Sequence, residues 1–274
     1  MPGGVGEPFM AVNVRQVQRN FGRYAGSYDQ YAVIQRETAA ELMMLIARSG
    51  RSYRRILEIG CGTGFLTALL AREYPQARIV ALDIAPEMIR EARVKLSGLN
   101  KISYLVADGE NPQLEGTFDL IVSNMVFQWF TGYLGPLTHY HRALEKGGDL
   151  IFCTLGEGTF VELYTCLGLP TPFISLTTLQ KVMNEAGFQE NTVNCSVKTE
   201  YFPSSRLFFR ALKRIGAHNY LMGGSGFRGL GNGIFKVIDL YDLKFRDRCG
   251  VPATYHCLFV SGRKEGGDTY AQLY

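Results

Sequence analysis

Ten residues, Arg55 to Gly64 (R-I-L-E-I-G-C-G-T-G), restrict this chain more than any other stretch. Ile56, Leu57 and Ile59 form a short apolar run of the kind buried on both faces of a parallel sheet. Glycines at 60, 62 and 64 then require a backbone that turns sharply and tolerates close approach. A helix is expected directly after the turn. Thr63 is placed to cap it, and Phe65, Leu66, Leu69 and Leu70 recur at helical spacing as far as Tyr74, where Pro75 stops it. Strand, glycine turn and helix N-terminus together make a nucleotide-type site.

The spacing differs from the dinucleotide pattern G-x-G-x-x-G, in which a helix N-terminus receives a pyrophosphate. Here it is E-x-G-x-G-x-G, and the acidic Glu58 favours a ligand carrying an amine or sulfonium over one carrying phosphates. A second apolar run, Ile79 to Leu82, ends in Asp83, an acid placed to accept both ribose hydroxyls of an adenosine. The combination resembles the S-adenosyl-L-methionine (SAM) site of class I methyltransferases.

Strands and helices alternate from Arg55 at parallel-sheet intervals. Pro86 to Leu96 is expected as a helix, Ile102 to Val106 and Phe118 to Ser123 as strands, Pro136 to Leu144 as a helix and Asp149 to Thr154 as a fifth strand. Asp108 follows the third strand, where it is either an acceptor for an adenine amino group or a plain loop acid. Asn124 to Phe130 follows the fourth and holds Gln128 and Trp129, the only tryptophan. This aromatic loop reads as a substrate pocket or as core. Phe188 to Tyr201 and Thr254 to Gly262 are expected to form an antiparallel pair at one edge.

Residues 1–50 are expected to form a helical lid, with Ser27 and Gln30 as a capping box and with Tyr28, Tyr31 and Gln35 on one polar, aromatic face. That face either covers a cofactor or is merely half exposed. The core is expected at 51–202 and 251–274, and residues 203–250 form a cap inserted between the last two strands, longer than a sheet connection requires. Arg206, Arg210, Lys213, Arg214, Arg228, Lys236, Lys244, Arg246 and Arg248 make the cap basic, which is either a solvated face or a docking patch for an acidic protein.

At 274 residues, 46% hydrophobic and 20% charged, the chain reads as a globular protein, with no transmembrane span and no secretory leader expected in M-P-G-G-V-G-E-P-F-M. The six cysteines form no C-x-x-C pair, so reduced thiols in the cytoplasm and no metal site are expected. A net charge of +4 and the lack of a recognition module argue against nucleic acid as a partner.

Over nearly its whole length the chain is similar to the malonyl-acyl-carrier-protein O-methyltransferase family of biotin synthesis. The similarity rests on F-G-R-Y-A-G-S-Y-D-Q-Y-A-V-I-Q from Phe21, L-E-I-G-C-G-T-G, A-L-D-I-A-P at Ala81 and S-N-M-V-F-Q-W at Ser123. It continues through T-L-G-E-G-T at Thr154, L-K-R-I-G-A-H-N at Leu212 and T-Y-H-C-L-F-V-S-G-R-K at Thr254. It departs at Leu167 to Leu176, which is apolar, proline-rich and shorter. The resemblance implies a seven-stranded, mostly parallel Rossmann-like α/β sheet with helices on both faces. It also implies SAM as methyl donor, S-adenosyl-L-homocysteine as product, the carboxylate of malonyl acyl carrier protein as acceptor, and the acidic carrier protein as partner. Residue reading and resemblance together give the expected cofactor contacts as Tyr31, Gln35, Glu58, Gly60, Gly62, Gly64, Asp83, Ile84, Asp108, Gly109 and Asn124. The expected substrate contacts are Tyr28, Trp129 and Phe130 as walls, Gln128 as orienting donor and Arg210 as the carboxylate's cation. Three rivals share the core: a small-acid methyltransferase of the trans-aconitate type, a hydroxylase that kept the fold, and a silent SAM-binding protein.

Overall fold

The computed structural model describes residues 13–217 and 233–266 of the chain. Seven strands form one sheet: β1 (Arg55–Ile59), β2 (Arg78–Asp83), β3 (Ile102–Val106), β4 (Phe118–Asn124), β5 (Leu144–Leu155), β6 (Glu190–Phe202) and β7 (Val251–Arg263). Their order is β3-β2-β1-β4-β5-β7-β6. The first five run parallel, and β7 lies antiparallel between β5 and β6.

The apolar runs are continuous because each strand must satisfy two faces at once. Alternate residues separate cleanly: Ile56, Leu120, Val122 and Ile151 join one core cluster, while Leu57, Ile59, Ile121 and Phe152 join another. On the first face α3 (Val33–Arg48) and α4 (Phe65–Glu73) bury Leu42, Ile46, Leu66 and Leu70. On the second, α6 (Leu134–Ala143) and α8 (Leu176–Glu185) bury Leu137, Tyr140, Leu179 and Met183.

The insertion supplies α9 (Ser205–Arg214) and α10 (Gly233–Phe245). It is anchored from within, by Phe208 and Tyr241 at 0% exposure and by the Tyr241 hydroxyl, which donates to the Pro252 carbonyl at 2.7 Å. Ser204 caps α9, accepting from the Leu207 amide.

Three local expectations are corrected. Thr63 does not cap α4, whose N-cap is Gly64 at φ +89°; its hydroxyl instead donates to Asp29 Oδ1 at 2.5 Å, a tertiary bond that local spacing does not encode. Ser27 and Gln30 form no capping box. Ser27 ends a 3₁₀ turn, has no capping bond and donates to the Tyr24 carbonyl, so the lid is broken into α1 (Val14–Tyr24), the single turn α2 (Tyr28–Tyr31), and α3. β5 begins at Leu144, directly after α6, because Leu144 still pairs with Phe118 across an irregularity in the ladder.

Candidate active site

At the C-terminal ends of β1 to β4 a cleft of about 720 Å³ opens. The glycine turn forms its floor, and each glycine serves a different need. A Cβ on Gly60 (φ +68°) would lie 2.2 Å from Val126 Cγ2, so the turn is pressed against the loop after β4. A Cβ on Gly62 (φ +53°) would meet nothing within 4 Å, which leaves that backbone open to a ligand. Gly64 lies behind, at the start of α4 and against Ala92 of α5 (Pro86–Lys95) and its C-cap Leu96, and does not line the cleft.

Asp83 ends β2 and holds this turn in place. Its Oδ2 accepts from the Gly62 amide at 2.9 Å and its Oδ1 from the Ala85 amide at 2.8 Å. Burial pushes its carboxyl up to about 6, against the pull of the Ala85, Gly62 and Ile84 amides. Glu58 sits one layer lower, 2% exposed and off the cleft wall, with Oε2 lacking a hydrogen-bond partner. Burial pushes it up to about 7, with Thr67 opposing the shift and the Asp83 charge adding to it. Asp108 and Glu110 line the far wall, and Asp108 Oδ1 accepts from the Glu110 amide. Gly109 lies between them, where a Cβ would come within 2.8 Å of Ile59 Cγ2, and its carbonyl accepts from the Tyr140 hydroxyl.

Acids thus surround an open glycine turn, and the potential favours a ligand carrying positive charge. The residues present fit SAM. Asp83, Ile84, Asp108 and Phe130 all line the cleft, where Asp83 would accept from ribose hydroxyls, Asp108 from an adenine amine, and Ile84 and Phe130 would supply apolar wall. Asn124 adds a buried Oδ1 with no partner, its Nδ2 being engaged by the Gln35 carbonyl at 2.9 Å. Among the described residues no cluster of metal-ligating side chains is found.

The lid closes this cleft. Val14, Val17 and Phe21 of α1 line it, and the Gln18 amide donates to the Ile84 carbonyl at 2.9 Å, tying the roof to the cofactor loop. Asp29 carries the second tie, accepting from Thr63 and pairing with Lys95 of α5. Tyr28 lies between these ties. Burial, then the Asp83 and Asp29 charges, push its phenol far above the usual range, so it is neutral.

A second cavity of about 440 Å³ adjoins the first and shares Phe21, Tyr28, Met125 and Trp129 with it. Leu155, Phe160, Tyr255 and the cap residues Leu212 and Ile215 complete most of its wall. Met125, at φ +58°, sits where the two cavities meet. Gln128 is fixed there, its Nε2 donating to the Met125 carbonyl at 2.9 Å and its Oε1 accepting from Thr154 Oγ1 at 3.1 Å. Trp129 stands edge-on to Phe21, centroids 5.4 Å apart.

Of the expected contacts, Gly60, Gly62, Asp83, Ile84, Asp108, Gly109 and Asn124 line the cofactor cleft, Tyr28 and Trp129 line both cavities, and Gln35 and Gln128 line the second only. Arg210 is a correction. It lines neither cavity and is exposed, because α9 turns Phe208, Leu212 and Ile215 inward and so places Arg210 on the opposite face. Tyr31 also lines neither; the Arg214 guanidinium lies over its ring and that of Tyr24, each at 6.0 Å. Met125, Phe160 and Tyr255 were not singled out as site residues. The signal for Tyr255 is present in β7, where Val251, Ala253, Tyr255 and Cys257 alternate inward.

A family model described as a methyltransferase domain matches residues 56–148, which span β1 to β4 and the start of β5. The malonyl-[acyl-carrier protein] O-methyltransferase of Paenibacillus sp. (strain JDR-2) is 40% identical over 271 residues, covering 89% of this chain and 96% of that protein. Its counterpart from Priestia megaterium is 35% identical over 275 residues, covering 91% and 97%. Among solved structures, the N-methyltransferase NodS from Bradyrhizobium japonicum, in complex with S-adenosyl-L-homocysteine, superposes with TM-score 0.52 at 16% identity, covering 91% of this chain and 98% of that one. A Haemonchus contortus phosphoethanolamine N-methyltransferase in complex with SAM superposes with TM-score 0.52 at 18% identity, covering 82% and 52%. The solved structures share the fold, and the relatives cover about nine-tenths of this chain: it is a SAM-dependent methyltransferase and belongs to the malonyl-[acyl-carrier protein] O-methyltransferase family.

Proposed function

We propose that this protein methylates the free carboxylate of a malonyl group held as a thioester on acyl carrier protein, giving the methyl ester and S-adenosyl-L-homocysteine, early in the route to the pimeloyl precursor of biotin. The observation that carries this reading is the largely apolar second cavity that adjoins the acid-lined cleft and shares Tyr28, Met125 and Trp129 with it. When bound, SAM supplies a methyl group activated by its sulfonium. A malonyl carboxylate is already ionised at neutral pH, so the chain need not provide a general base, and Tyr28, held neutral, acts as a donor. What the chain provides is alignment and dryness. The lid ties of Gln18 and Asp29 close the roof, and Phe21, Trp129 and Phe130 exclude water from the carboxylate.

Incubation with SAM and malonylated carrier protein, followed by intact-mass analysis, is expected to show a methyl ester on the malonyl group. A hydroxylated product supports the hydroxylase rival, an ester formed only on free small acids supports the trans-aconitate type, and an unchanged mass supports the silent protein.

The outer face of α9 supports the carrier-protein part of the reading. Arg206, Arg210 and Lys213 are all exposed there, on the side opposite the acyl cavity, with the Arg206 guanidinium 5.8 Å over the Phe235 ring of the cap, whereas Arg214 lies over the lid rings of Tyr24 and Tyr31. An acidic partner docked on such a ridge is held by exposed pairs, screened over about 8 Å at physiological ionic strength. Reversing Arg206, Arg210 and Lys213 to glutamate is expected to raise the KM for malonyl carrier protein about tenfold while sparing a small malonyl thioester, and to flatten the salt dependence of the former. Equal KM changes for both donors remove this face from docking.

A further inference from the structure

Two tyrosines, Tyr28 and Tyr255, line the second cavity. Tyr255 is 5% exposed, yet among the described residues its hydroxyl makes no hydrogen bond. Its ring is held by Phe160, with centroids 4.9 Å apart, so the side chain is fixed by packing while its hydroxyl remains available to a ligand. Burial pushes its phenol up, with Glu200, Cys257 and Glu162 adding to the rise, so the group is a neutral donor at any ordinary pH. Tyr28 is likewise a neutral phenol without a hydrogen bond among the described residues. The two differ in place. Tyr28 lies where both cavities meet, whereas Tyr255 lines the second alone.

We propose that Tyr255 is a substrate-binding donor that recognises the second carbonyl of the acyl group, the one bonded to sulfur, while Tyr28 serves the carboxylate at the junction. The inference rests on the proposed function and deepens it: the ligand class is a carboxylate with a carbonyl two carbons away. The reacting carboxylate has to reach the cofactor cleft, so the thioester carbonyl remains further into the second cavity, on the Tyr255 side. A tyrosine hydroxyl that lines the cavity and makes no hydrogen bond to the described residues is free to donate when such an oxygen arrives.

The test uses the full chain loaded with S-adenosyl-L-homocysteine and two ligands on the same pantetheine arm, a malonyl thioester and the carboxyethyl thioether that lacks only the carbonyl oxygen. Calorimetry on the parent is expected to show the thioester bound about tenfold more tightly. Tyr255→Phe is expected to erase that preference by weakening the thioester alone, with a melting temperature unchanged or raised because no protein hydrogen bond is lost. Tyr28→Phe is expected to weaken both ligands alike. A Tyr255→Phe variant that keeps the parent's preference overturns the assignment, as does equal weakening of both ligands or a melting temperature that drops. A parent that forms no methyl ester from malonyl carrier protein in the mass assay overturns the proposed function itself. A parent that forms the ester but shows no preference between the two ligands overturns the Tyr255 assignment alone.

Discussion

Asp83→Ala is expected to weaken SAM binding by about 100-fold or more, since hydrogen bonds to a charged group are worth about 1.5 to 3 kcal/mol each and two ribose hydroxyls are at stake. The structure adds a second reason for a large effect. The same carboxylate accepts from the Gly62 and Ala85 amides, so its removal also frees the turn that forms the cleft floor. Asp83→Asn separates the two contributions, because an amide keeps an acceptor for the turn while losing the charge. Its loss of affinity is expected to fall between those of the parent and the alanine variant.

The pH dependence carries a sign that checks the same assignment. Burial raises Asp83 to about 6, and the ionised form is the one that accepts from hydroxyls and attracts a cation. Affinity of the parent should therefore fall as pH drops through 6. In Asp83→Ala that step disappears. Glu58, whose rise to about 7 is due first to burial and in part to the Asp83 charge, should then titrate lower than in the parent. Titration calorimetry across this range checks both shifts. An alanine variant that stays folded and binds SAM as the parent does removes Asp83 from the site.

Much of the cofactor cleft was legible because its determinants are local. Ile56 to Ile59 reads as a doubly buried strand and three alternating glycines as a tight turn, and the acids at 83 and 108 then fall at strand ends where open α/β sheets bind ligands, whereas Glu58, inside its strand, lies off the cleft wall. The lid was legible as helices, but its attachment was not. The Thr63 to Asp29 bond spans 34 residues and the Gln18 to Ile84 bond 66, and nothing in either local pattern announces them. Gly216 is a similar case: a Cβ there would lie 3.1 Å from the Phe21 amide, so the end of α9 meets α1 at close range, which only the assembled fold reveals.

Arg210 fails for a different reason. The inward spacing of Phe208, Leu212 and Ile215 is present in the sequence and places residue 210 outside, whatever its charge. The same correction divides the basic ridge. Arg206, Arg210 and Lys213 face solvent, while Arg214 joins the cap to Tyr24 and Tyr31 of the lid, so reversing Arg214 would disturb closure together with docking.

Trp129→Ala is expected to lower kcat about 100-fold while changing SAM affinity by no more than about threefold, since water exclusion acts on the reacting carboxylate and not on the adenosine contacts. Trp129 is half-buried, lines both cavities, and its edge contact with Phe21 joins the β4 loop to the lid. Removing the indole opens a path for water at the point where carboxylate and sulfonium must meet. The transfer neutralises two opposite charges, so solvation favours the reactants over the transition state, and a wetter site is a slower one. The opposing view is that the tryptophan is core. A buried tryptophan truncated to alanine costs about 3 to 5 kcal/mol of stability, whereas a half-buried wall should cost less and leave a cooperative fold. Trp129→Phe keeps an apolar wall and is expected to recover most of the lost turnover. Measuring kcat, SAM affinity and melting temperature on both variants decides between the two views: parallel losses in all three for alanine, with phenylalanine no better, would make Trp129 a packing residue and leave the dryness of the site to Phe21 and Phe130.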